Sequence, residues 1–127
     1  MAGLALKLAP NEQVMINGVI VENGPRRTQL LIKSEGAAVL RLRDALDEAD
    51  VIGPVSRAYF IAQRAVAGQI GTDEAAEELA APLAEVERLA RGHATETATI
   101  RQALGQRNLY RVMRALKPLL DLEREPV

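Results

Sequence analysis

Four arginines in the first third of the chain carry the chemistry that is easiest to specify. They form two closely spaced pairs, Arg26 with Arg27 and Arg41 with Arg43. A guanidinium group stays charged near neutral pH and donates N–H groups in a planar fork that fits phosphate oxygens and base acceptors. We therefore consider RNA binding by these arginines, with ordinary solvated strand-end charges as the plainer alternative, which the residues alone favour.

The same region lacks the other common means of RNA recognition. Residues 1–45 contain no Phe, Tyr or Trp, so this segment cannot stack unpaired bases on aromatic rings, as many RNA-binding sheets do. Any RNA contact made here must use arginine side chains and the backbone of a strand edge.

A second basic group lies near the end of the chain, at Arg107, Arg111 and Arg114. At 100° per residue these side chains fall within roughly 60° of one helix face. The opposite face carries an apolar stripe that includes Leu109 and Val112. We predict a partner-binding surface here, able to hold phosphate or an acidic protein, although the net charge of the whole chain is only −1.

The residues give no support for catalysis. The chain has a single histidine, His93, and no cysteine, which leaves neither a His-paired nucleophile nor a multi-His metal site. The acids between residues 73 and 87 do not match the spacing of a calcium loop, and the early glycines lie between predicted strands rather than in a phosphate loop. We expect no enzyme, no catalytic residue, no metal and no cofactor.

Residues 1–45 read as four or five short strands in an antiparallel meander or small barrel-like sheet. Leu4, Leu6 and Leu8 alternate with other residues, as in a half-buried strand. Asn17–Gly18 and Asn23–Gly24 are expected to make turns with positive φ that set the strand register.

From residue 46 onward the apolar spacing becomes helical. Pro54 suits the first position of a helix that should end by Gly71, and Thr72 or Asp73 can cap the next one. Two further helices are expected beyond Gly92, the last bent near Pro118. The predicted class is α+β: an antiparallel β module over residues 1–45, and an α-helical region of about four helices over residues 46–127, packed on or next to it. Since no membrane span or secretion signal is evident, we expect a cytoplasmic protein.

The early residues also resemble a known family. The matching positions, in order, are Leu6, Lys7, Leu8, Pro10, Ile16, Asn17, Gly18, Val21, Asn23, Gly24, Arg26, Arg27, Thr28, Leu30, Leu31, Ile32, Val39, Leu40 and Arg41. Their order and spacing are similar to the signature of the flagellum biosynthesis repressor FlbT family, and Pro54, Arg57, Tyr59 and Gln63 look like that family's first long helix.

This resemblance implies a bacterial post-transcriptional regulator of flagellin that acts as a repressor. Such a protein binds the 5′ untranslated leader of flagellin messenger RNA, controls its stability or translation, and works with the flagellin regulator FlaF. Some members of the family are activators. The alternative, from another class, is a protein-binding adaptor or chaperone-like factor that acts on flagellin or another flagellar regulator without touching RNA.

The β region has a second, looser similarity, to the carbon storage regulator family of small intertwined β dimers that bind messenger leaders. In that family an arginine of the closing strand contacts RNA, and Arg41 occupies the matching place. Leu42 stands where that family has an acid, and that family lacks a helical tail. The similarity implies RNA contacts at Arg41 and a homodimer formed through the β module.

Overall fold

The structure, a computed structural model, describes residues 3–124. It divides into two compact units, residues 1–45 and residues 46–127. Within the described residues the first unit contains five strands and the second contains four α-helices. The predicted α+β class is confirmed.

The five strands form two antiparallel sheets. Their bounds are β1 (Leu4–Leu8), β2 (Gln13–Ile16), β3 (Val19–Glu22), β4 (Thr28–Ile32) and β5 (Val39–Arg41). One sheet pairs β1 with β4, and the other has the order β3-β2-β5. The expectation of a meander is wrong, because only β2 and β3 pair as sequence neighbours while β1–β4 and β2–β5 join distant segments.

The two sheets share a small aliphatic core. Alternation along β1 places Leu6 and Leu8 inward, where they cluster with Val14 of β2 and Val39 of β5, all buried. Partly buried neighbours from both sheets complete the cluster: Leu4, Ile16, Leu30 and Ile32. This core fixes the register of both sheets, since a shift of one residue would turn these side chains outward.

The two expected turns behave differently. Asn17 and Gly18 join β2 to β3 with φ of 50° and 84°, as predicted for a tight hairpin turn. Asn23 and Gly24 do not have positive φ, so that expectation is wrong. Asn23 shapes its turn through its side chain instead: the amide Nδ2 donates to the carbonyls of Ala9 at 2.8 Å and Arg26 at 2.9 Å.

The helices of the second unit are α1 (Pro54–Val66), α2 (Thr72–Leu89), α3 (Ala94–Gly105) and α4 (Leu109–Leu116), followed by a 3-10 segment (Lys117–Leu122). Pro54 begins α1 as predicted. The helix ends earlier than Gly71, with Gly68 in the left-handed conformation. Gly71 itself is the N-cap residue of α2, in place of the predicted Thr72 or Asp73.

The helices pack around α1 and α4. α1 contacts both α2 and α4, and α3 packs on α4, whereas α2 and α3 make little contact with each other. The interior is mainly aliphatic, with the largest fully buried side chains including Tyr59, Leu79, Leu116 and Leu119. Across the described residues, no helix is both long and apolar enough to cross a membrane.

Candidate nucleic-acid interface

The ends of several strands bring basic residues together at one end of the first unit. Pairing of Leu8 with Thr28 sets the segment before β4 beside the end of β1, and the guanidinium of Arg41 bonds the carbonyl of Lys7. We call this surface the basic end; its basic residues are Lys7, Arg26, Arg27, Arg41 and Arg43. The same segments contain the acids Glu12, Glu22 and Asp44, so they carry five bases and three acids.

Arg26 and Arg27 are the most available members of the basic end. Both are exposed, and neither has an ion-pair partner in the part of the chain that the structure describes. Asn23 holds their segment in place, since its amide bonds both the Arg26 carbonyl and the end of β1. Two adjacent guanidinium groups on a fixed turn can contact consecutive phosphates or a phosphate and a base.

Arg41 has a different environment from the one expected. Its Nη1 donates to Glu12 Oε2 at 2.9 Å and its Nη2 donates to the Lys7 carbonyl at 2.9 Å. The side chain is only 20% exposed. The interpretation of Arg41 as an exposed strand-end charge is therefore wrong, because its guanidinium ties β5 to β1 and to the turn that carries Glu12.

Glu12 organises this end of the sheet, a role that its place in a turn does not reveal in the sequence. The carboxylate is only 7% exposed. Its Oε1 accepts the Ala9 N–H at 2.9 Å, while Oε2 faces Arg41 at 2.9 Å and the Nε of Arg43 at 3.8 Å. The Ala9 N–H and then the two guanidinium groups hold the pKa of Glu12 below its ordinary value, although burial opposes them.

Arg43 completes the basic end. Its side chain is 63% exposed and its contact with Glu12 is long, so most of its donors face solvent. The structure thus brings Arg26, Arg27, Arg41 and Arg43 to the same end, with three of them accessible and one engaged internally.

The second predicted surface is only partly assembled. Arg107 precedes α4 rather than lying on it: it has φ of 58°, and its Nε donates to Asp73 at 2.9 Å. The prediction that all three arginines share one face of the last helix is therefore wrong for Arg107. Arg111 and Arg114 do lie exposed on α4, with the Arg114 guanidinium 6.0 Å from the centre of the Tyr110 ring.

No group of three or more His, Asp or Glu residues within the described range is placed to hold a metal ion. His93 is the N-cap residue of α3, and its Nδ1 lies 3.9 Å from Glu96.

Comparison with known proteins identifies relatives over nearly the whole chain. The model of the family described as "Flagellar protein FlbT" matches residues 4–127. A flagellum biosynthesis repressor protein FlbT of Caulobacter vibrioides (strain CB 15) is 28% identical over 124 residues, covering 96% of this chain and 87% of that protein. A probable flagellum biosynthesis repressor protein FlbT of Caulobacter sp. (strain K31) is 28% identical over 122 residues, covering 94% and 92%. No solved structure matches the chain.

Proposed function

This chain belongs to the FlbT family of flagellar proteins, and from that premise we propose that it is a post-transcriptional repressor of flagellin synthesis. In this proposal it binds the 5′ untranslated leader of flagellin messenger RNA through the basic end and limits its stability or translation. The relatives named as flagellum biosynthesis repressors support the regulatory role.

One observation carries the RNA-binding part of the proposal. Arg26 and Arg27 are adjacent, exposed and without ion-pair partners among residues 3–124, on a turn fixed by Asn23. Cations that are left unpaired on a fixed turn can bind an anionic ligand without first breaking internal contacts. Lys7 and Arg43 extend the positive surface, which can then bind several phosphates of a single RNA strand.

The proposal assigns different roles to the arginines. Arg27 supplies a direct contact, while Arg26 and Arg43 bind phosphates. Arg41, which the resemblance implies as an RNA contact, keeps the end of β5 in position and presents its remaining edge to the ligand.

Replacing Arg26 and Arg27 together with glutamine tests this function. We expect binding to a flagellin leader to weaken at least tenfold, with the salt dependence flattened by about 0.7 log unit for each phosphate of a single strand that the variant no longer binds. The fold should persist, because exposed and unpaired charges contribute little to stability. Fluorescence anisotropy at several salt concentrations gives both values.

The matched control replaces Arg88 and Arg91 with glutamine. Both residues are exposed and without an ion-pair partner in the described region, so this variant has the same change in net charge. It should bind the leader as the unmodified protein does. Equal weakening of leader binding in both variants would show that only the net charge of the protein matters. Full affinity in the Arg26 and Arg27 variant would show that the basic end does not bind the leader.

A protein partner is the second candidate function, and exposed Arg111 and Arg114 on α4 favour it. We propose that this pair binds an acidic surface on flagellin or on the flagellin regulator FlaF. Replacing both residues with glutamine should then abolish capture of the purified partner and leave leader binding unchanged.

A further inference from the structure

The second unit has an open seam between α2 and α3. α2 packs mainly on α1 and α3 mainly on α4, and the two helices are joined directly by an ion pair between Glu87 of α2 and Arg101 of α3. Between them lies a cavity of about 270 Å³. Its apolar lining consists of Ala80, Leu83, Ala84, Val86, Ile100 and Leu104. We call this feature the α2–α3 groove.

The groove has an apolar floor and low walls. Val86 and Ile100 are buried at its base, and Leu83 is half-buried above them. Ala80 and Ala84 lie four residues apart on α2 and are exposed, so part of the α2 wall is formed by methyl groups. A helix backbone can approach such a wall closely, and binding of that helix would bury exposed aliphatic surface away from water, which is favourable.

The rim of the groove is acidic on the α2 side. Helical spacing places Asp73 and Glu77 on the same face as Ala80 and Ala84. Asp73 is paired with Arg107. Glu77 is exposed and has no ion-pair partner in the described part of the chain.

Residues 72–105, which span both helices, contain seven acids and three Lys or Arg residues. Glu87 and Arg101, which also line the groove, pair with each other. The unpaired acid Glu77 and the acidic excess of the two helices therefore favour a ligand that carries positive charge.

We propose that the α2–α3 groove binds an amphipathic helix of a partner protein, with an aliphatic stripe flanked by Lys or Arg. The lining extends over about two turns of each wall, from Ala80 to Glu87 on α2 and from Thr97 to Leu104 on α3. A third helix laid between them would insert aliphatic side chains at positions i, i+3 or i+4, and i+7. Its basic flanks would face Glu77 and the other acids of α2. This groove belongs to the second unit and does not depend on RNA binding.

Two synthetic helical peptides test the proposal on the full chain. Both carry the same leucine stripe, one with lysine flanks and the other with glutamate flanks. We expect the lysine peptide to bind and the glutamate peptide to bind at least tenfold more weakly, as measured by fluorescence anisotropy. Failure of the lysine peptide to bind, or equal binding of the two peptides, would overturn the proposal.

Substitutions locate the binding site. Ala84→Arg fills the groove wall and adds a charge that repels the lysine peptide, so its affinity should fall at least tenfold. Ala81→Arg makes the same change at an exposed alanine of α2 that does not line the groove, and its affinity should stay within twofold of the unmodified protein. Circular dichroism should be used to check that both variants are folded. Equal affinity of the two variants for the lysine peptide would show that the peptide binds outside the α2–α3 groove.

Light scattering tests whether a second copy of this chain, rather than a partner helix, occupies the groove. The mass of the unmodified protein and of Ala84→Arg should be the same. A dimer that disappears only in Ala84→Arg would show that a second copy fills the groove and would contradict the proposal.

Discussion

Glu12 shows how a single carboxylate can organise a basic surface. It accepts the Ala9 N–H and pairs with Arg41, and these contacts hold the turn after β1 against the end of β5. Arg41 lies 29 residues further along the chain. Neither residue type nor local spacing encodes such a long-range pair, which is why residue type alone favours a solvated charge at Arg41.

The lowered pKa of Glu12 predicts a pH dependence of stability. Because the folded protein holds the pKa below the ordinary value of 4.5, the unfolded chain takes up a proton first as the pH falls. The contribution is fully present above pH 4.5 and is lost as the pH falls through the lowered folded value. Thermal unfolding followed by circular dichroism between pH 6 and pH 3, roughly the range that brackets this change, should show it.

Glu12→Gln isolates this effect from the other carboxylates. The variant should be less stable at neutral pH, since Arg41 loses its charged partner, and its stability should fall less steeply in acid. Parallel pH profiles for the variant and the unmodified protein would show that the environment of Glu12 is not the source of the acid sensitivity.

Among the secondary-structure elements, the β2–β3 hairpin is the one that local sequence determines best. Positive φ at Asn17 and Gly18 suits residues that adopt it at low cost. We expect Gly18→Val to destabilise the protein by about 1 kcal/mol or more, as measured by chemical denaturation.

Gly24→Val is the matched control for that prediction. Gly24 lacks positive φ, and a Cβ placed there would meet no atom within 4 Å. Its substitution should change the unfolding midpoint much less than Gly18→Val does. Equal effects at both glycines would mean that the conformation of the Gly18 turn is not what matters.

The helices show which features can be predicted from local sequence and which cannot. Pro54 marks the start of α1, and the apolar spacing identifies the buried side of α4, including Leu109, Val112 and Leu116. Arg107 lies outside the predicted helix because the chain turns there with positive φ toward Asp73. The carboxylate of Glu123, which accepts the N–H groups of Val55 and Ser56 at the start of α1, could not be predicted, because tertiary folding alone brings it there.

For the basic end, the sequence identifies the arginines that could bind RNA, but it does not predict that the two pairs lie at the same end of the unit. Arg26 and Arg27 are adjacent in sequence, so their shared location followed directly. Their proximity to Arg41 and Arg43 depends on the pairing of β1 with β4 and of β2 with β5. A sequence pattern can identify these strands, but it does not state which distant strands pair.

For the molecule as a whole, β3 offers a route to self-association, the homodimer through the β module that the sequence predicts. All five strands pair within one chain, so a second copy has to use a free edge. β3 is an edge strand whose Val19, Ile20 and Val21 are 62%, 56% and 36% exposed. Natural edge strands usually carry a charge or a proline against such pairing. In β3 the only charge is Glu22 at the end of the strand, and the three apolar positions before it carry neither.

We expect a weak dimer at roughly tens of micromolar, since a four-residue strand buries less than the ~1,200 Å² of a stable interface. Ile20→Lys should make the protein monomeric by light scattering. Ile52→Lys, at an isoleucine of similar exposure in the second unit, should leave the dimer intact. A monomer in the unmodified protein at these concentrations would contradict self-association through β3.

Direct binding of a flagellin leader is the property on which the proposed function of this FlbT-family protein rests. The affinity of the nucleic-acid-free protein for that leader should be compared with its affinity for a scrambled RNA of equal length, at the same salt concentration. We expect tighter binding to the leader by at least tenfold. Equal affinity for the two RNAs, or no binding to either, would contradict direct recognition of the leader and favour a protein partner as the route to flagellin control.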